Sequence, residues 1–296
     1  MSGAYFVQTP YGGDKSELWK KVGLTQPSML VISPNGYGDP MDGVSDAVDV
    51  ASGGYNIPWY IGAYPVLNPL DYGKPEFTIP DWANEVKGIG GMARAGYRLE
   101  ALAMQKAFWK RVVALLGMPY GFYVGHELSV SHWHTGGWPS ANATRVAWFL
   151  QSSVQDAWAI GPHLPVLWSP YAYGPPVPMD NGIEFRRVIS LVNSWIRSRY
   201  GQATNPIQIA LQDGVGAGAA RGRTKEDAVT WAKILGPDVS LNVENFITYD
   251  QQTFSQCDPA EVDARCQFYV DSGVAIGPSW SLLRAGPGGM SWEANV

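Results

Sequence analysis

A (β/α)8 barrel of a single domain, residues 1–296, is the fold class the sequence predicts, and three observations predict it. Eight short apolar, strand-like runs alternate with helical segments from one end of the chain to the other. No shift in composition marks a linker between two units. The residues at which the apolar runs end are nearly all polar or aromatic, as expected where a barrel gathers its chemistry at one mouth.

Ala4-Tyr5-Phe6-Val7-Gln8 reads as the first strand, and Asp14 to Gly23 as a short helix with Asp14 at the N-cap and Glu17 at N3. Met29 to Ser33 is a continuous apolar run, the pattern of a strand buried on both faces. A loop rich in Gly, Pro and Asp follows, carrying Asp39, Asp42, Asp46 and Asp49. Pro58 to Tyr64 is the third strand. Asp81 to Met118 is mostly helical, with the clearest 3.6-residue period from Leu99 to Leu116. Tyr120 to Gly125 is the fourth strand, followed by a helix over 140–160 that stops at Gly161-Pro162. Pro165 to Ser169, Ile207 to Gln212, Ser240 to Val243 and Val274 to Gly277 complete the eight strands. Helices over 183–200, 224–235 and 258–272 separate them. Thr224 caps one of these, with Asp227 at N3, and Asp258-Pro259 starts another. About sixteen residues follow Trp280, so the last helix is expected to be short or missing.

Composition narrows the class. Hydrophobic residues make up 46% of the chain, enough for a sizeable core, whereas charged residues are only 16%. A net charge of −5 argues against a nucleic-acid surface. No apolar run reaches the roughly 18–20 residues of a membrane span. The N-terminus shows no basic region followed by an apolar one, so no secretory signal is visible; phage-borne, otherwise exported and cytoplasmic locations all stay open. Cys257 and Cys266 flank a helix start, and a helix between them separates their Cα atoms by on the order of 12 Å, too far for a disulfide. Two free thiols are expected. The 13 tryptophans and 15 tyrosines, with few charges, suit the stacking of sugar faces.

The strand ends offer Tyr64, His126-Glu127, Trp168, Gln212-Asp213, Glu244-Asn245 and Trp280. Two of them are glutamates, Glu127 after the fourth strand and Glu244 after the seventh. Such a pair meets the need of glycosidic cleavage, a proton for the leaving oxygen and a carboxylate for the oxocarbenium-like centre. A separation of about 5–5.5 Å permits direct attack, and about 6.5–9.5 Å leaves room for a water. With this placement the chain resembles the retaining glycoside hydrolases of clan A. The resemblance implies Glu127 as acid/base, Glu244 as nucleophile, Trp280 as the tryptophan that often ends the eighth strand, and no cofactor. His126 stands where many clan members have an asparagine. The stretches Gln212-Asp213-Gly214-Val215-Gly216 and Trp168-Ser169-Pro170-Tyr171 also resemble a little-characterised family of barrel domains related to that clan.

Other readings stay open beside it. Trp133 and Trp138, in the loop after Glu127, suit sugar platforms, and Tyr171 lies after the fifth strand. In that same loop His132 and His134, with His126, have the donor chemistry of a zinc-dependent hydrolase. The Asp39–Asp49 cluster has calcium-type oxygen donors without EF-hand spacing. Gly214 to Arg223 follows a strand and precedes a helix, but Arg221 stands where a dinucleotide fingerprint needs its third glycine or alanine. The favoured reading is a retaining glycoside hydrolase acting on a poly- or oligosaccharide, with a bacterial cell-wall glycan or exopolysaccharide among its candidates. A non-catalytic carbohydrate-binding barrel is the rival. Neither a metal nor another cofactor is required by the favoured reading.

Overall fold

The computed structural model describes residues 3–9, 15–34, 41, 43–63, 95–125, 141–170, 181–201, 207–216, 223–247, 255–280 and 282. Within these, β1 is Ala4–Thr9, α1 Lys15–Thr25, β2 Met29–Pro34, α2 Val44–Asp49 and β3 Trp59–Ala63. The helix α3 spans Ala95–Leu116, β4 Gly121–Val124, α4 Ala141–Ile160, β5 Val166–Trp168, α5 Asn181–Tyr200 and β6 Ile207–Gln212. Then come α6 Lys225–Leu235, β7 Val239–Asn242, a hairpin of β8 Phe246–Ile247 and β9 Ser255–Gln256, α7 Pro259–Asp271 and β10 Ala275–Ile276.

Eight strands pair in parallel in the order β1-β2-β3-β4-β5-β6-β7-β10. The circle closes beyond β10: Phe6 N–H donates to the Ser279 carbonyl at 2.9 Å and Ser279 N–H to the Ala4 carbonyl at 2.8 Å. The predicted (β/α)8 barrel is therefore the observed architecture, and β10 is its eighth strand. The expected short or missing last helix falls on residues 283–296, outside the described ones.

Two apolar cores follow from the period-2 alternation of the strands. The larger lies between sheet and helices. There Trp109 of α3 packs on Phe122 of β4, ring centroids 4.7 Å apart, and Trp168 of β5 on Phe185 of α5 at 5.2 Å. The smaller fills the barrel, with Phe6, Val31, Tyr60, Tyr123, Leu167 and Ala210. Two bulky tyrosines fit inside because each faces a glycine across the β3–β4 ladder, Tyr60 opposite Gly121 and Tyr123 opposite Gly62. A Cβ on Gly121 would lie 2.3 Å from the Tyr60 ring. At the opposite end from the strand termini of interest, the strand starts leave a cavity of about 600 Å³ bordered by Ala4, Met29, Gln208, Ser240 and Ile276.

The expected helix starts are present. Thr224 and Asp227 form a reciprocal capping box on α6, and Asp258 caps α7 ahead of Pro259. The structure also corrects the reading in two places. Residues 43–54, expected as loop, form α2 and a π-helical turn over Val50–Gly54, because Val44, Ala47, Val48, Val50 and Ala51 bury one apolar face despite the surrounding Gly and Asp. Asp46 and Asp49 both face Lys15, so of the proposed calcium cluster these two carboxylates already hold a cation. Asp39 and Asp42 lie outside the described residues. The hairpin β8–β9 is the other unexpected element.

Cys257 and Cys266 are buried thiols not joined in a disulfide, as expected. Burial pushes the Cys257 thiol up to about 11 from an ordinary 9.0, and burial likewise raises the phenols of Tyr5 and Tyr269. The folded protein thus keeps protons that the unfolded chain releases above about pH 9. The unfolded state then binds fewer protons, and stability falls as pH rises from there. Urea midpoints at pH 7, 9 and 10.5 should drop across the last interval; a flat series would contradict this assignment.

Candidate active site

Glu244 lies two residues past β7, and alternation decides where it points. Leu241 and Val243 pack outward into the core beneath the helices, which turns Asn242 and Glu244 toward the barrel axis. Asn242 Nδ2 donates to Ser169 Oγ at 2.8 Å, and Ser169 Oγ donates to the Ala210 carbonyl at 2.8 Å. Gln212 Nε2 donates to the Ser169 carbonyl at 3.2 Å. These bonds knit the ends of β5, β6 and β7 into a polar floor. Among the described residues the buried Asn242 Oδ1 has no hydrogen-bond partner, which makes it a candidate acceptor for a ligand hydroxyl.

Trp280 joins this floor from the eighth strand. It is the ladder neighbour of Glu244 and stacks on Phe6 inside the barrel, ring centroids 4.9 Å apart. Trp280 N–H donates to the Val243 carbonyl at 3.1 Å, and Asn245 N–H to the Trp280 carbonyl at 2.8 Å. Glu244 is only 2% exposed. Burying a carboxylate is costly unless the structure engages it, so a glutamate at this depth is a functional-site candidate.

A second carboxylate lies beneath it. Asp213 follows β6 and is fully buried; its Oδ1 accepts from Val215 N–H and Glu244 N–H, each at 3.2 Å. Its Oδ2 accepts from the Tyr269 hydroxyl at 3.0 Å and lies 3.5 Å from Arg265 Nη1. Arg265 Nη2 also donates to the Glu244 carbonyl. Burial disfavours the charge on Arg265, but Asp213 above all, with Tyr269, Cys257 and Glu244, outweighs it and holds the guanidinium above its ordinary pKa.

Gly216 closes over this assembly. A Cβ there would lie 2.1 Å from the Phe246 carbonyl oxygen and 3.0 Å from Glu244 Cβ. Gly216→Ala is expected to cost about 1–3 kcal/mol through overpacking and to shift the loop against Glu244. Urea unfolding checks the first effect; an unchanged midpoint would show that the loop yields freely.

The sequence-predicted residues divide into three groups. Gln212, Glu244 and Trp280 come together at the C-terminal mouth of the barrel on the β6, β7 and eighth-strand side, and Asn245, next in the chain after Glu244, is buried and held there by its backbone. Trp168 and Asp213 do not line that mouth as expected. Trp168 is fully buried and points outward against Phe185, because Leu167 is the inward residue of β5. Asp213 is spent on the Glu244 backbone, Tyr269 and Arg265. Glu127, His126, Tyr64, Trp133, Trp138 and Tyr171 lie outside the described residues, as do His132 and His134. Among the described residues no cluster of His, Cys, Asp or Glu has the makings of a metal site, and no helix is long and apolar enough to cross a membrane. Arg265, Tyr269 and Asn242 were not singled out by sequence, and Ser169 only as part of the Trp168-Ser169-Pro170-Tyr171 stretch. The available signal was Arg265 itself, a charge set within the apolar stripe Val262, Cys266 and Tyr269 of α7.

No protein-family model and no curated protein sequence matches the chain. Its three-dimensional structure does have relatives. A protein from Bacteroides thetaiotaomicron described as an alpha-L-fucosidase superimposes with a TM-score of 0.59 at 13% identity, over 98% of this chain and 88% of that one. The catalytic domain of a family GH18 chitinase from the fern Peteris ryukyuensis gives 0.53 at 12% identity, over 98% and 95%. The shared fold is the TIM barrel. At these identities the likeness concerns the barrel alone.

Proposed function

We propose that the protein is a retaining glycoside hydrolase acting on a poly- or oligosaccharide, with Glu244 as nucleophile and Glu127 as acid/base. One observation carries this reading: Glu244 stands, inward-facing, at the end of the seventh strand of a closed (β/α)8 barrel, at the mouth where such barrels place their chemistry. Glu127 follows β4 by three positions in the sequence. In the proposed cycle Glu127 protonates the departing glycosidic oxygen as Glu244 attacks the anomeric carbon. Glu127 then takes a proton from the water that releases the sugar from Glu244. Trp280, partly buried beside Glu244, offers an aromatic face to the sugar ring. Asn242 Oδ1 and Gln212 supply hydrogen-bonding groups below it.

The near-complete burial of Glu244 favours a second reading, a carbohydrate-binding barrel without turnover in which that glutamate is structural. Hydrolysis of a polysaccharide panel by wild type, Glu127→Gln and Glu244→Gln separates the two. Under the first reading wild type cleaves at least one member and both variants fail. Cleavage unaffected by either substitution would sink the glycosidase reading, and binding without cleavage would establish the second.

A further inference from the structure

We propose that Asp213 and Arg265 are positioning residues that fix the height and rotation of Glu244 at the barrel mouth, an inference that rests on the proposed role of Glu244 as nucleophile. The reason lies in the ladder. The β6–β7 register ends at Gln212 opposite Asn242, and the chain then turns away at Gly214 with φ +67°. In a parallel sheet the N–H and C=O of one residue face the same neighbouring strand. Those of Glu244 face the side from which β6 has just departed. Val243 and Asn245, facing the other way, are held by the backbone of Trp280.

The β6 ladder thus does not reach the two backbone groups of Glu244, and folded proteins meet such buried groups from elsewhere. Side chains replace the missing strand. Asp213 Oδ1 takes the Glu244 N–H at 3.2 Å, and Arg265 Nη2 donates to the Glu244 carbonyl. Arg265 Nη1, 3.5 Å from Asp213 Oδ2, closes the ring between the two. Tyr269, one turn along α7 from Arg265, fixes the second carboxylate oxygen at 3.0 Å. Only a planar guanidinium can address the carboxylate and the carbonyl together in fixed geometry; an ammonium on a flexible stem cannot. A buried ion pair is weak evidence for stability, since apolar replacements often serve as well. Its place around the backbone of one residue suits the specification of that residue's position.

The test uses Arg265→Lys, Asp213→Asn and Tyr269→Phe in the full chain, on the substrate that the polysaccharide panel identifies. Ser153→Ala is the control; it removes the buried Gln105–Ser153 bond between α3 and α4. Misplacing a reacting group by about 1 Å costs on the order of 10²-fold in rate. Arg265→Lys and Asp213→Asn are expected to lower kcat on that scale with KM little changed, Tyr269→Phe to lower it less, and Ser153→Ala to leave it unchanged. Amide hydrogen exchange needs no substrate: Arg265→Lys should lose protection at residues 243–246 selectively, where Ser153→Ala does not. This arm also carries the test if harsher variants such as Asp213→Ala fail to fold. Wild-type kcat in Arg265→Lys, or an exchange pattern that is unchanged or uniform along the chain, overturns the positioning role alone. Full turnover in Glu244→Gln overturns the nucleophile reading and the positioning role with it.

Discussion

Glu244→Gln is expected to remove hydrolysis while leaving the fold intact. Gln keeps the shape of Glu244 and leaves its backbone bonds to Asp213, Arg265 and Trp280 untouched, since those involve only the N–H and C=O of residue 244 and its neighbours. What it loses is the charge that, in the proposed mechanism, attacks the anomeric carbon. The loss should approach the roughly 10⁴–10⁶-fold scale seen when a member of a nucleophilic catalytic set is removed. The unfolding midpoint should stay close to wild type. Glu127→Gln is expected to lose less, about 10²–10⁴-fold, the usual contribution of one general acid/base. Its deficit should shrink on substrates with good leaving groups, which need no proton to depart. Initial rates on matched aryl glycosides with good and poor leaving groups check this; equal deficits on both would remove the acid role from Glu127.

The largest effect on stability is expected from Asp213→Ala. It leaves Arg265 as a buried cation without its main counter-charge and strips the acceptor from three donors at once, the N–H groups of Val215 and Glu244 and the Tyr269 hydroxyl. Breaking a buried pair by deleting one partner costs about 3–5 kcal/mol, and the abandoned donors put this site at the upper end. Arg265→Met should fall within the same range, and Tyr269→Phe, which removes one neutral donor, should cost about 1 kcal/mol. Urea unfolding of the three variants tests the order. A loss below 1 kcal/mol in Asp213→Ala would mean that water enters the site and replaces the carboxylate.

The barrel was legible because its signals are local and repeated. Each strand is a short apolar run, and β6 has the bounds its sequence predicts, since Ile207, Ile209 and Leu211 alternate with Gln208, Ala210 and Gln212. The caps at Thr224 and Asp258 depend on residues three or fewer positions away, so sequence alone reveals them. The helix α2 was hidden because its apolar face is interrupted by Asp and bordered by Gly, residues that read as turn formers until Val44, Ala47 and Val48 find a core to bury in. The hairpin of two-residue strands β8 and β9 is too short to leave a pattern.

The site was legible to the level of strand ends but not of side-chain direction. Trp168 and Leu167 are adjacent apolar residues, and only the packing of Trp168 on Phe185 reveals which of them leaves the barrel. Asp213 looked like a ligand contact because it ends a strand. Apart from the nearby Val215 N–H, its partners Glu244, Arg265 and Tyr269 lie more than thirty positions away in sequence, across contacts that no local pattern encodes. The placement of Glu244, by contrast, needed only a count of strands.

The most direct test of Glu244 as nucleophile is covalent trapping. Wild-type protein would be incubated with a panel of activated 2-deoxy-2-fluoro glycosides, in which the fluorine slows release of the glycosyl-enzyme, and digested for peptide mass spectrometry. The account predicts a glycosyl adduct on the peptide containing Glu244, absent in Glu244→Gln. An adduct on another carboxylate, or steady turnover of the same compounds in Glu244→Gln, would contradict it.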